Sequence, residues 1–174
     1  MSRFERFARA VARAALGLSA AALLASLATI SYSVIRRYVF DTPVAWTDEL
    51  VGYLLVASVM LAAADALFGD EHIAVDIVTE RLSPRGKRIA FLLGLAGVAA
   101  TAVLLLIEGV GMVQFSQKVG LRSNGDLALP LWIPQLLVPI GALLLLMAAI
   151  VAFVAALRGR MPTHERATPV QGIE

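Results

Sequence analysis

Two acidic residues stand inside apolar stretches of the sequence, and they are the first candidates for chemistry. Asp65 and Glu108 each fall in a segment that is otherwise apolar and long enough to cross a membrane. A charge at the centre of a bilayer costs about 2.5 to 3.5 kcal/mol, so an acid retained in a span is a candidate ion site. Both acids lie near the predicted ends of their spans, within reach of headgroups or water. We therefore favour structural anchoring over an ion site for both.

A histidine and an aspartate form the second candidate pair. His72 and Asp76 are four residues apart, so they share one face of a helix. A metal site needs more than two protein ligands, and the sequence offers no third ligand beside them. We favour a hydrogen-bonded pair at the membrane interface that fixes a connector between two helices.

Motifs for catalysis and cofactor binding are absent from the sequence. It has no cysteine, which excludes disulfides, thiol chemistry and iron–sulfur ligation. Its two histidines lie outside the apolar runs, which excludes a haem held by paired histidines between helices. No nucleophile triad, phosphate-binding glycine loop or metal cluster is recognisable. We predict no enzyme, no cofactor and no metal site, and the basic residues form no stripe that would predict a nucleic-acid partner.

The third candidate is the segment 36–50, which separates two apolar runs. It places two arginines, three acids, a proline and three aromatic residues in fifteen positions. Such a segment is too polar for hydrocarbon and too apolar for an aqueous loop, whereas aromatic side chains with polar tips collect where lipid meets water. We expect it at the membrane interface, or packed there on another protein, with these candidate interface or anchoring residues: Arg36, Arg37, Phe40, Trp46, Asp48 and Glu49. For the two acids, the first turn of a helix, facing the positive end of its dipole, is a simpler explanation.

Four predicted membrane-spanning helices position these candidates. Apolar residues make up 59% of the sequence, compared with about 45 to 50% in soluble domains, and the mean hydropathy is +0.81. A helix rises about 1.5 Å per residue, so roughly 20 apolar residues cross the hydrocarbon core. The sequence predicts an all-α integral membrane protein, with one four-helix membrane domain over 1–160 and a short polar tail at 161–174. The predicted helices cover 14–35, 47–68, 89–113 and 133–157.

The start of the chain has a second interpretation, a cleaved signal peptide, because a basic segment precedes the first apolar run. A signal core usually has only about 7 to 15 apolar residues, and the uncharged run 14–35 is longer, so we favour an uncleaved helix.

Among the connectors, the polar segment 69–88 predicts a short amphipathic helix ended by Pro84. The segment 114–131 predicts a loop with a tight turn at Asn124 and Gly125, and 127–135 is expected to be irregular or interfacial.

The distribution of basic residues predicts the orientation. Of the 15 lysines and arginines, only four fall in the two connectors that lie on the side opposite the termini: Arg36, Arg37, Lys118 and Arg122. The positive-inside rule assigns the more basic side to the cytoplasm. We therefore predict that both termini are cytoplasmic, and that segment 36–50 and the Asn124 loop face outward.

Several spaced motifs follow the order of these predicted helices. The first comprises Arg37, Phe40, Pro43, Trp46, Glu49 and Leu50. The second comprises His72, Ile73, Val75 and Asp76, followed by Leu82, Ser83 and Pro84. The third is the segment 129–134, Leu-Pro-Leu-Trp-Ile-Pro, with Pro139 and Gly141 beyond it. Together, over about 31–141, they resemble the small permease subunits of tripartite ATP-independent periplasmic (TRAP) transporters, DctQ-type. One departure is the acidic approach to His72, where the family pattern commonly has a basic residue.

The resemblance implies a non-catalytic small subunit of a sodium-coupled transporter for carboxylate uptake in the bacterial inner membrane. Its implied partners are the large TRAP permease subunit, a periplasmic solute-binding protein that it helps to dock, and the lipid bilayer. For the residues, we expect Phe40 and Trp46 to anchor the outer surface, and Arg36 or Arg37 to pair with Asp48, with Glu49 or with the binding protein. The sequence has no midplane binding groups and no pair of interrupted helices of the kind that builds transport sites, which agrees with a supporting role.

Two other interpretations remain open at this point. A self-associating four-helix transporter is one alternative, but small exporters of that kind depend on an acid in the first helix, and 14–35 contains none. A membrane-anchor subunit of another complex, such as a redox complex, is the other alternative, and the lack of histidines in the spans weighs against it.

Overall fold

The computed structural model describes residues 3–69 and 84–158, and within these ranges it is helical, without a strand. The predicted amphipathic helix, together with His72 and Asp76, lies outside the described residues. Four stretches are long and apolar enough to span a membrane, as the sequence predicted. The described helices are α1 Arg3–Tyr38, α2 Trp46–Phe68, α3 Pro84–Val119, α4 Trp132–Gln135 and α5 Leu137–Leu157.

The helices α1 and α3 are longer than the spans predicted within them. Each has 36 residues, or about 54 Å at the usual rise, whereas the hydrocarbon core is about 30 Å thick. The segment 114–119, predicted as loop, is the last part of α3. It contains no proline or glycine that would end the helix earlier. The helix stops where Gly120 adopts φ +67, and backbone hydrogen bonds from Gly120 to Gln117 and from Leu121 to Ser116 form a Schellman motif.

The last span is divided into α4 and α5 by Leu136. Leu136 keeps helical dihedral angles, and its backbone N–H donates to the carbonyls of Trp132 and Ile133. Pro134 and Pro139 flank this point, and each lacks the N–H that would continue the hydrogen-bond ladder. The chain therefore enters the span as a single turn of helix followed by a 21-residue helix.

The spanning helices are arranged as a row in the order α1, α2, α5, α3. Two contacts join neighbouring helices at the ends where α2 and α5 terminate. The Arg9 guanidinium lies 5.1 Å from the centre of the Phe68 ring, and Arg88 donates a 2.9 Å hydrogen bond to the Leu157 carbonyl. The Arg88 contact satisfies a free carbonyl at the negative end of the α5 dipole. The helices α2 and α5 are the inner members of the row, and α1 and α3 form its two edges.

Small side chains allow the neighbouring helices to pack closely. A Cβ added at Gly141 of α5 would lie 2.6 Å from the Met60 carbonyl oxygen of α2, and one added at Gly109 of α3 would lie 3.1 Å from Pro139. Buried alanines fill much of the core between the helices, and Ser19 of α1 donates a 2.6 Å hydrogen bond to the Ser58 carbonyl of α2. This use of glycine, alanine and serine is typical of helix packing in membranes, where close backbone approach replaces the hydrophobic driving force.

Candidate functional site

Glu49 joins the connector between α1 and α2 to the loop 120–131 between α3 and α4, at the opposite ends of the helices. Tyr53, one turn later in α2, donates a 2.7 Å hydrogen bond to Glu49 Oε1. The Ser123 side chain and the Leu127 backbone also face this carboxylate. A Cβ added at Gly125 would collide with Glu49 Oε2, so the backbone of the loop passes directly over the carboxylate. The first turn of α2 is therefore packed on the loop 120–131.

The loop 120–131 has a short hairpin-like geometry. An antiparallel bridge joins Arg122 to Pro130, and neighbouring backbone groups add hydrogen bonds of 2.9 and 3.0 Å. The backbone N–H of Ala128 donates to the Gly125 carbonyl at 3.1 Å, so the turn covers 125–128 and its central residues are 126 and 127, not the predicted Asn124 and Gly125. Ala128 adopts φ +43, an uncommon value for a residue with a side chain. These contacts hold the loop in the conformation that covers Glu49.

Trp46 is placed by contacts between α1 and α2. Its ring centre lies 6.3 Å from that of Tyr32, with an angle of 35° between the planes. The neighbouring Thr47 hydroxyl lies 3.0 Å from the Ser33 hydroxyl and donates a 2.8 Å hydrogen bond to the Val44 carbonyl. Thr47 is almost completely buried, at 1% exposure. The start of α2 is therefore fixed against α1 by a buried polar contact and an aromatic contact.

The end of α1 exposes an apolar surface beside this contact. Tyr38, Val39 and Phe40 are 79%, 70% and 61% exposed, and we call residues 38–40 the ledge. The chain then turns at Asp41, which adopts φ +49, and the Thr42 N–H donates a 3.0 Å hydrogen bond to the Arg36 carbonyl. Phe40 is thus exposed, whereas Trp46 is half-buried. The two aromatic residues that the sequence grouped together occupy different environments.

Arg37 and Asp48 line one small pocket of about 150 Å³ between α1 and α2. Its walls carry apolar side chains from both helices, including Val34 and Val51. Arg36 is half-buried, and its Nε has no hydrogen-bond partner. The predicted pairing of Arg36 or Arg37 with Asp48 or Glu49 stays a prediction, and the contact of Glu49 with the loop was not anticipated. No sequence signal joins Glu49 to residues more than seventy positions away.

The two acids within the apolar stretches occupy different positions. Asp65 is half-buried, and its carbonyl accepts a hydrogen bond from Gly69 at the end of α2, so it lies near a helix end as expected. Glu108 is exposed, and α3 continues to Val119 beyond it, so it lies deeper in its helix than the sequence indicated. Within the described ranges, no group of three or more histidine, aspartate or glutamate side chains could hold a metal ion.

Comparison with known proteins identifies the family. Residues 26–159, more than half of the chain, match the model of the family described as tripartite ATP-independent periplasmic transporters, DctQ component. The chain is also similar to the C4-dicarboxylate TRAP transporter small permease protein DctQ of Rhodobacter capsulatus, with 29% identity over 121 residues. That match covers 69% of this chain and 53% of the relative, so the chain spans about half the length of the relative. The four spanning helices and the family match together show that the chain belongs to the small permease (DctQ) family of TRAP transporters.

Proposed function

We propose that this chain is the non-catalytic small subunit of a sodium-coupled TRAP transporter in the bacterial inner membrane. Its implied cargo is a carboxylate, since the relative from Rhodobacter capsulatus is named for C4-dicarboxylates. A large permease subunit performs the transport step, and a periplasmic solute-binding protein delivers the cargo. The family assignment favours this role over a self-associating transporter or an anchor for a redox complex.

The packing of the two connectors is the observation that carries this proposal. Glu49, Tyr53 and the loop 120–131 form a preorganised surface beside the exposed ledge. A surface that is held rigid before binding loses less conformational entropy when a partner docks. In the described ranges, the core consists largely of packed alanines, so the chain resembles a support more than a conduit.

The orientation follows from charge. Both connectors of this surface carry few lysines and arginines, whereas the start and the tail of the chain are basic. Under the positive-inside rule, both termini are cytoplasmic and the connector surface faces the periplasm, where the binding protein is found. In this arrangement Arg36 and Arg37 are available to acidic groups of the binding protein, and His72 with Asp76 fixes the cytoplasmic connector.

Reconstituted transport tests the proposal. Liposomes containing the large and small subunits, with the binding protein outside, should accumulate a C4-dicarboxylate when a sodium gradient is imposed. Liposomes containing this chain alone should accumulate none. Carboxylate uptake by this chain without a companion would contradict the assignment of a supporting role.

Substitutions at the connector surface test the docking role. Arg37→Ala, Glu49→Ala and the double variant should each require several times more binding protein for half-maximal uptake, with the two subunits still co-purifying. Gly52→Ala is the matched control, because an added Cβ there meets nothing within 4 Å. Unchanged uptake in all three variants, with the complex intact, would exclude a role for this surface in docking.

A further inference from the structure

The edge of the row formed by α3 exposes a regular stripe of side chains. Its members recur at alternating intervals of three and four residues, and each is exposed. We call this set the α3 stripe: Gly97, Thr101, Leu104, Glu108, Gly111 and Phe115. Spacing of this kind places residues along one line of a helix, in the pattern by which two helices pack along their length. The most apolar part of α3 is also the least buried of the four spans, at 11%.

The glycines of α3 fall into two groups. Gly109 is in contact with Pro139 and Val138 of α5, so its lack of a side chain is used within this chain. Gly97 and Gly111 on the stripe, like Gly94 beside it, have nothing within 4 Å of an added Cβ, so contacts within this chain do not require their lack of a side chain. Glycine in a helix interior costs about 1 kcal/mol relative to alanine. Close approach of another helix gives such a glycine a function, as small residues do at helix interfaces in membranes.

Glu108 is an independent sign that protein covers this stripe. The adjacent Gly109 packs on Pro139, two positions before Gly141, which itself packs on Met60 in the inner part of α2. Glu108 is therefore at a depth well inside the spans, with its side chain on the exposed edge. An ionisable group at that depth is costly in lipid and is usually paired with another polar group. A protein partner with a hydrogen-bond donor at this depth would satisfy it.

The opposite edge of the row provides a comparison within the same molecule. The exposed side of α1 carries large apolar side chains, including Leu23, Leu24 and Leu27, at 51%, 68% and 62% exposure. No charged residue occurs between positions 14 and 35. This surface suits lipid chains. The α1 surface also exposes small residues, such as Gly17, so the acid is what distinguishes the α3 stripe.

We propose that the α3 stripe is the face on which a transmembrane helix of the large permease subunit packs, with a donor or cationic side chain of that helix opposite Glu108. This proposal rests on the proposed function, because it takes the large subunit as the partner. The small residues permit close approach of the two backbones, and Glu108 fixes the depth and register of the contact. The same acid disfavours burial against lipid alone.

Co-purification of the two subunits tests this face. Both subunits are expressed together, the small subunit carries an affinity tag, and the captured large subunit is quantified. Gly97→Leu and Gly111→Leu fill open space, so the small subunit should keep its helix content while capture of the large subunit falls about tenfold. The matched control is Gly17→Leu on α1, which also has nothing within 4 Å and should capture the large subunit as the wild type does.

Two substitutions of Glu108 test whether its polar pairing with the partner or only its size matters for the contact. Glu108→Leu should reduce capture, whereas Glu108→Gln, which keeps a polar group at that depth, should restore most of it. Wild-type capture by Gly97→Leu, Gly111→Leu and Glu108→Leu, or equal loss in Gly17→Leu, would overturn the assignment of the α3 stripe. Loss of pairing between two differently tagged small subunits, with capture of the large subunit unchanged, would also overturn it. If the wild-type chain captures no large subunit, the proposed function itself fails.

Discussion

The backbones of α5 and α2 come into close contact at Gly141, where the absence of a side chain leaves room for Met60. The atoms nearest to an added Cβ at this position include the Met60 carbonyl oxygen and carbon, which belong to the backbone. A flexible side chain can move away from a new methyl group, but a helix backbone moves only if the helices separate. Because α5 also packs on α3, this separation would disturb the contacts of α5 with α3 as well.

We expect Gly141→Ala to destabilise the folded subunit. Overpacking of a closely packed contact costs about 1 to 3 kcal/mol, so the thermal midpoint of the purified subunit should fall by several degrees. Circular dichroism of the protein in detergent measures this change. Gly52→Ala in α2 is the control, since it meets open space and alanine is the better helix former. An equal midpoint for the two variants would show that the Met60 contact is not tight in solution.

Hydropathy and charge do not distinguish these glycines, although Gly141 also belongs to the third of the spaced motifs. Gly52, Gly97, Gly109 and Gly141 all lie in apolar helical stretches with similar neighbours. Which of them contacts another helix depends on the order of the helices in the row and on their rotation about their axes. Hydropathy and charge carry no information about either property, so the packing contacts could not be predicted.

At the scale of elements, the loop 120–131 and the first turn of α2 form one unit. The spanning helices were predictable because long uncharged runs have few alternatives in a membrane. The end of α3 was not predictable from the sequence, because the polar segment 114–119 is compatible with either helix or loop. Only the positive φ of Gly120 in the structure shows where the helix is capped. The contact between Glu49 and the loop joins residues that are far apart in the sequence, so it could not be predicted from local patterns.

Removal of the Glu49 side chain should release the loop. In Glu49→Ala, the groups at Ser123 and Leu127 lose the carboxylate that they face, so the loop should open more often. Limited trypsin digestion measures this opening, because Arg122 is exposed within the loop. We expect cleavage after Arg122 to be about fivefold faster in this variant.

Asp48→Ala is the matched control for the loop experiment. Asp48 is an exposed acid in the same first turn of α2 and lines the pocket with Arg37, away from the loop. Its removal changes the charge of the turn by the same amount as the removal of Glu49. If both variants are cleaved at equal rates, the effect comes from charge at the helix start, and the loop does not depend on Glu49.

At the scale of the whole molecule, the row leaves two edges open. A closed bundle buries every helix among the others, whereas here α1 packs mainly on α2 and α3 mainly on α5. The α1 edge has no charged residue between positions 14 and 35, whereas the α3 edge exposes Glu108. A molecule with this asymmetry fits a subunit that is joined to a larger membrane protein along one side and faces lipid along the other.

Labelling of single cysteines determines which way the row is oriented in the membrane. The chain has no cysteine, so each introduced thiol is the only reactive one in this subunit. Asn124→Cys, in the exposed part of the loop, should react with a membrane-impermeant maleimide added to spheroplasts. Thr163→Cys, in the tail, should react only after the membrane is permeabilised, if the basic segments are cytoplasmic as we propose. The reverse pattern would place the connector surface in the cytoplasm, where a periplasmic binding protein has no access to it.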